Sequence, residues 1–143
     1  MPDLAHKRHE LAVATVGRSM RDITAAITAW LTQIGAQDGL LTLFLRHTSA
    51  SLTIQENADP DVQRDLLAAL DRLAPEEAGY RHAGEGQDDM PAHIKTMLTS
   101  VSLSVPVFGG QMALGTWQGI FLIEHRVARA SRKVALQFIG ACT

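Results

Sequence analysis

The chain has almost no cysteine. Its one example, Cys142, is the penultimate residue and has no internal partner, so a disulfide framework is excluded and a reducing cytoplasm is the expected location. Two kinds of apolar run are also missing. The opening Met1-Pro-Asp-Leu-Ala-His6 does not start a signal peptide, and no segment approaches the ~20 apolar residues of a membrane span. There is no excess of positive charge. Thirteen basic residues stand against fifteen acids and are scattered along the chain, so no nucleic-acid surface is expected. The one local cluster, His6-Lys7-Arg8-His9, reads as a solvated lead-in. The familiar phosphate and nucleophile signatures are absent as well. There is no Gly-x-Ser-x-Gly elbow and no Walker loop, and Gly84-Glu-Gly86 reaches Asp89 where a dinucleotide fingerprint needs its third glycine.

What is present suits one globular domain. At 143 residues and 46% hydrophobic content the chain can bury a substantial core, and nothing in it resembles a repeat or an interdomain linker. Alternation predicts a strand over 9–16. Ile23, Ala26, Ile27, Trp30, Leu31 and Ile34 recur at helical spacing and predict an amphipathic helix over 22–34. Gly35 and Gly39 bracket an expected turn at Gln37-Asp38. The apolar run 40–45 reads as a strand covered on both faces, continued in extended form over 48–54. Asp59-Pro60 is a helix start, with Val62, Leu66, Ala69, Leu70 and Leu73 as the stripe to be buried. Asp89-Met90-Pro91 opens another short helix ending near Leu98. Gly109-Gly110 between 101–108 and 111–114 is a hairpin signal, and 119–124 and 133–139 add two more strands. The expected fold is α+β: a largely antiparallel β-sheet with two to three helices in a single compact domain.

The most unusual composition lies in His82-Ala-Gly-Glu-Gly-Gln-Asp-Asp-Met-Pro-Ala-His93. Carboxylates packed this closely repel unless they face water, a cation or hydrogen-bond donors. His82, Glu85, Asp88, Asp89 and His93 therefore form a candidate site, and imidazole and carboxylate donors suit zinc or another divalent ion. With Pro91 as the first or second helical residue, His93 falls in a first turn, and Gly84 and Gly86 allow the loop to fold back toward it. An acidic surface loop with solvated histidines is the plain alternative. In Arg46-His47-Thr48-Ser49, a buried-looking strand turns polar. His47 is there a possible base or ligand, and Thr48 and Ser49 are possible phosphate donors, or else hydroxyls that satisfy local backbone. Asn57, Asp61 and Asp65 follow around the expected helix start, where capping and a solvated first turn account for most acids. Further on, Glu124 and Arg126 share a strand face as an internal ion pair, unless Arg126 clamps a phosphate instead. Trp117 is open to three roles: core, subunit contact or stacking platform.

Three long blocks, 47–61, 80–95 and 114–126, together resemble the YjbQ family, also described as secondary thiamine-phosphate synthase-like proteins. The resemblance implies a small α+β protein assembling as a homotrimer, with polar pockets near subunit boundaries and a metal ion among histidines. It also implies a weak, secondary thiamine-phosphate synthase activity joining a pyrimidine pyrophosphate to a thiazole phosphate. Transferred to this sequence, it makes His47, His82 and His93 ligand candidates for a divalent ion, zinc or magnesium. Glu85, Asp89, Asn57 and Asp65 become supporting or acid/base candidates, and Gln118 and Arg126 candidate contacts to a small phosphorylated substrate. The alternatives are a non-catalytic trimer that binds a metal or phosphorylated metabolite, and a metal-dependent hydrolase using His82, His93 and Glu85.

Overall fold

The structure is a computed structural model that describes residues 3–143. Its elements run β1 (Ala5–Thr15), β2 (Ser19–Asp22), α1 (Thr24–Gln33), β3 (Ala36–Leu45), β4 (Ala50–Glu56), α2 (Pro60–Leu73), α3 (Asp89–Leu98), β5 (Ser102–Phe108), β6 (Gln111–Met112), β7 (Gln118–Glu124) and β8 (Ala130–Cys142). They form a five-stranded sheet, β1-β8-β3-β5-β6, and a three-stranded sheet, β2-β7-β4. Every strand pair is antiparallel. The α+β expectation therefore holds, with two sheets rather than one. No helix among the described residues is long and apolar enough to cross a membrane.

One core draws on both sheets and on α1. Leu41, Leu43, Leu136 and Phe138 come from the larger sheet, Leu52, Ile120 and Leu122 from the smaller, and Ile27, Trp30 and Leu31 from the helix. Burying a leucine or phenylalanine side chain contributes about 1.5–3 kcal/mol, so this cluster supplies most of the drive to fold.

Several boundaries differ from the sequence expectation, each for a local reason. The basic lead-in is exposed, as expected of a solvated segment, but it is already strand: β1 begins at Ala5, with His6 through His9 paired against Ile139 through Leu136 on β8, and His9 stacks on Trp30. Asp22 ends β2 instead of opening a helix, and its carboxylate accepts from Thr24 N–H at the start of α1. Gln37 and Asp38 lie within β3, where a register shift between Ala36 and Gly39 takes the place of the expected turn. Strand β3 is covered on one face only. Leu41, Leu43 and Leu45 are buried, whereas Leu40 and Phe44 are 45% and 47% exposed. The α2 stripe is half-buried at best, and Leu73 is exposed. Trp117 is exposed too, which removes the core reading for it.

The capping expectation for α2 is met: the Asp59 carboxylate accepts from Asp61 N–H at 2.9 Å, with Pro60 at the first position. The Gly109-Gly110 hairpin is also present, both glycines having positive φ. Gly110 is further constrained, because a Cβ there would lie 2.6 Å from the Ala36 carbonyl oxygen.

Candidate metal centre

Helix α3 starts at Asp89, so Pro91 is its third residue and His93 begins the second turn rather than the first. Asp89 and His93 are four residues apart and share a helix face. The preceding loop brings His82 back to that face. Its Nε2 lies 2.7 Å from Asp89 Oδ2, and His93 Nε2 lies 3.3 Å from the same oxygen. The two rings meet edge-on with centroids 5.5 Å apart. One potential ligand atom from each of the three residues falls within a span of 4.8 Å. Asp89 is buried, His93 half-buried and His82 exposed, so the cluster is anchored on one side and open on the other.

The anchor is Arg126, just beyond β7. Its Nη1 donates to Asp89 Oδ1 at 2.6 Å, its Nε to Asp88 Oδ2 at 3.1 Å and its Nη2 to the Glu85 carbonyl at 2.9 Å. Asp88 Oδ2 also accepts from Val127 N–H at 2.8 Å. One guanidinium thus ties the loop, the helix start and the strand exit together. Burial alone would raise the pKa of Asp89. The hydrogen bond from His82 and the positive potential of His93 and Arg126 outweigh it and hold the carboxyl below its usual range. Asp88 follows the same pattern: burial raises it, while the Val127 N–H and Arg126 lower it further.

The donor set fits a divalent ion. Two imidazoles and one carboxylate match the three-ligand pattern of zinc sites that keep a position open for water or substrate. Asp89 Oδ1 is engaged by Arg126 and Oδ2 faces the histidines, a carboxylate already oriented by an outer partner.

Other sequence candidates fall elsewhere. Within one chain His47 does not reach the cluster. It lies at the β3–β4 connection, where its Nε2 accepts the backbone N–H of Lys133 at 3.0 Å. Burial, followed by the Arg132 charge, lowers its pKa below the ordinary imidazole value. Glu85 is exposed, and it is its backbone carbonyl that accepts from Arg126; its carboxylate is not part of the converging group. Gln118 Oε1 accepts from Gly115 N–H at 2.7 Å and closes the turn carrying Trp117. Asn57 N–H donates to the Trp117 carbonyl in the same corner. Both lie at the end of β7 opposite Arg126: Gln118 begins the strand and Asn57 follows Glu56, the β4 residue paired with it, so the strand itself, about 20 Å long, separates them from Arg126. Asp65 is exposed on α2, and the α2 carboxylate that reaches α3 is the half-exposed Asp71, which accepts from the buried Lys95 Nζ at 2.5 Å.

The expected Glu124–Arg126 pair is not formed. Glu124 is fully buried and takes Arg132 instead, through Nε at 2.7 Å and Nη2 at 2.6 Å, with Thr15 Oγ1 at 2.5 Å. Burial favours the protonated acid, but these donors reverse the balance and lower its pKa. Sequence reading missed this pair, and missed His125, whose Nε2 lies 2.8 Å from Ser51 Oγ in the interior. The available signal was polar residues ending the apolar run 119–124 with no turn residue beside them.

The family profile described as UPF0047 protein YjbQ-like matches residues 9–141. The chain belongs to that family. It is 49% identical over 131 residues to the UPF0047 protein sll1880 of Synechocystis, covering 91% of this chain and 89% of that one. It is 48% identical over 124 residues to the UPF0047 protein YjbQ of Salmonella typhimurium, covering 86% and 90%. Among solved structures, an uncharacterized conserved protein of the YjbQ/UPF0047 family from Clostridium acetobutylicum superposes with a TM-score of 0.84 at 37% identity, covering 91% and 98%. The conserved hypothetical protein TT1486 of Thermus thermophilus gives 0.80 at 36% identity, covering 90% and 97%. All three of the sequence blocks on which the family resemblance rests lie inside the matched span.

Proposed function

We propose that His82, Asp89 and His93 bind a divalent metal ion, zinc or magnesium, in a transferase-like enzyme acting on small phosphorylated heterocycles. The observation that carries this reading is the convergence of three ligand atoms within 4.8 Å around a carboxylate held from behind by Arg126. When bound, the ion would act as a Lewis acid toward phosphoryl oxygens. The residues divide the remaining work. His82 and His93 hold the open side, and Asp89 fixes the buried side. Glu85, exposed on the loop between His82 and Asp89, would serve as acid or base. Resemblance to the family supports thiamine-phosphate synthesis from a pyrimidine pyrophosphate and a thiazole phosphate as the weak reaction to assay.

The proposal includes self-association as a homotrimer. Leu40 and Ile139 are register neighbours on the outer face of the larger sheet, and with Phe108 they leave that face apolar and exposed. Patches of this kind mark interaction surfaces. Sedimentation velocity should give a trimer for the parent protein and smaller species for Leu40→Glu and Ile139→Glu.

Activity is tested with the two phosphorylated substrates and added zinc or magnesium. His82→Ala and Glu85→Ala are expected to lose product formation while remaining folded and assembled. Undiminished turnover in both variants rules out the site. If metal binds and no turnover is found with any phosphorylated heterocycle, the non-catalytic binding reading replaces the enzyme reading.

A further inference from the structure

A second pocket, lined by none of His82, Asp89 and His93, opens at the β3–β4 connection. It measures about 550 Å³ and is lined by Phe44, Arg46, His47, Thr48, Val101 and Arg132, among others. No acidic residue lines it, and it holds two guanidinium groups. Arg46 is exposed and forms no ion pair among the described residues. Arg132 is 8% exposed. Its Nε and Nη2 serve Glu124 and Ser49, and its Nη1 has no hydrogen-bond partner among the described residues.

His47 reinforces this polarity. Because Nε2 accepts from Lys133 N–H, the proton of the neutral ring sits on Nδ1, so the ring presents a donor instead of a ligand lone pair. A cation would meet Arg46, Arg132 and an N–H, whereas an oxyanion would meet three donors and the Thr48 hydroxyl. Phe44 and Val101 supply an apolar wall beside them.

We propose that this pocket binds the phosphate or pyrophosphate group of a small ester, with the body of the ester against Phe44 and Val101. The assignment of the anion stands on the pocket alone, and only the identity of the ester rests on the function proposed above.

The test is calorimetric titration of EDTA-treated protein with inorganic pyrophosphate. One anion per chain is expected, with binding weakened about ten-fold in Arg46→Met and unchanged in His82→Ala. Arg46 is exposed, so its replacement should leave folding intact, and Thr48→Val is a second variant expected to weaken binding. The inference is overturned if the parent protein does not bind millimolar pyrophosphate. It is equally overturned if both pocket variants bind like the parent, or if only His82→Ala loses the anion. Loss of thiamine-phosphate synthesis as a reading would leave the pyrophosphate result standing, so the two failures can be told apart.

Discussion

The guanidinium of Arg126 and the carboxylate of Asp89 meet end to end, with Nη1 2.6 Å from Oδ1, and this leaves Oδ2 to the two histidines. Both partners have second attachments, so the contact is the centre of a network joining the 82–88 loop to β7. A bare surface ion pair contributes ~0–1 kcal/mol, but Asp89 is buried, and removing one side strands the other.

Asp89→Asn should therefore lower the stability of the metal-free protein by about 1–3 kcal/mol, as a buried charge-assisted hydrogen bond does when one partner is neutralised. Glu85→Gln, an exposed side chain a few residues away, should change it by less than about 0.5 kcal/mol. Urea denaturation of the two variants checks the contrast. Equal stabilities would mean that the network does not hold the loop.

Stability should also fall between neutral and mildly acidic pH. His125 is buried, and burial, followed by the charge of Lys95, brings its pKa from 6.5 down to about 4. As pH drops below about 6.5 the unfolded chain takes up a proton that the folded chain refuses until about 4. The stabilisation is thus complete above that window and lost across it, amounting to about 3 kcal/mol. His47 acts in the same direction, and the lowered carboxyls of Asp88, Asp89 and Glu124 add a further loss at lower pH. His125→Gln keeps a partner for Ser51 and removes only its own contribution. Thermal melts from pH 7 to 4.5 should be flatter for this variant, and parallel curves would contradict the assignment.

At the β5–β6 turn two neighbouring glycines should respond differently to alanine. Gly109 (φ +57°) has open space around it, so Gly109→Ala should cost about 1 kcal/mol for the left-handed backbone alone. Gly110 (φ +82°) adds a clash with the Ala36 carbonyl, and Gly110→Ala should cost at least about 1 kcal/mol more. Equal melting temperatures for the two variants would count against this packing.

Much of this fold is legible in the chain because its signals are local. Asp59-Pro60, Gly109-Gly110 and the apolar spacing of α1 each act within a few residues, and each element appears where they point. The errors concern longer range. A solvent-like run such as His6-Lys7-Arg8-His9 becomes strand because β8, more than a hundred residues later, offers it a paired edge. Glu124 chooses Arg132 over Arg126 because buried geometry outranks spacing along a strand. The candidate site divides in the same way. Composition marks His82, Asp89 and His93 as one candidate group, but the pairing of Asp89 with His93 on a helix face follows only from a helix that begins at Asp89 rather than at Pro91. The roles of Arg126 as an anchor and of His47 as a donor in a separate pocket depend on contacts that sequence proximity does not encode.

A divalent ion held by His82, Asp89 and His93 can be seen by titrating metal-free protein with cobalt(II) and following its visible absorption. One ion per chain is predicted, with a spectrum of low coordination number that zinc displaces, and no such spectrum in His93→Gln or Asp89→Asn. A parent protein that takes up no ion, or a His93→Gln variant that binds cobalt with unchanged affinity and spectrum, would contradict a metal centre there.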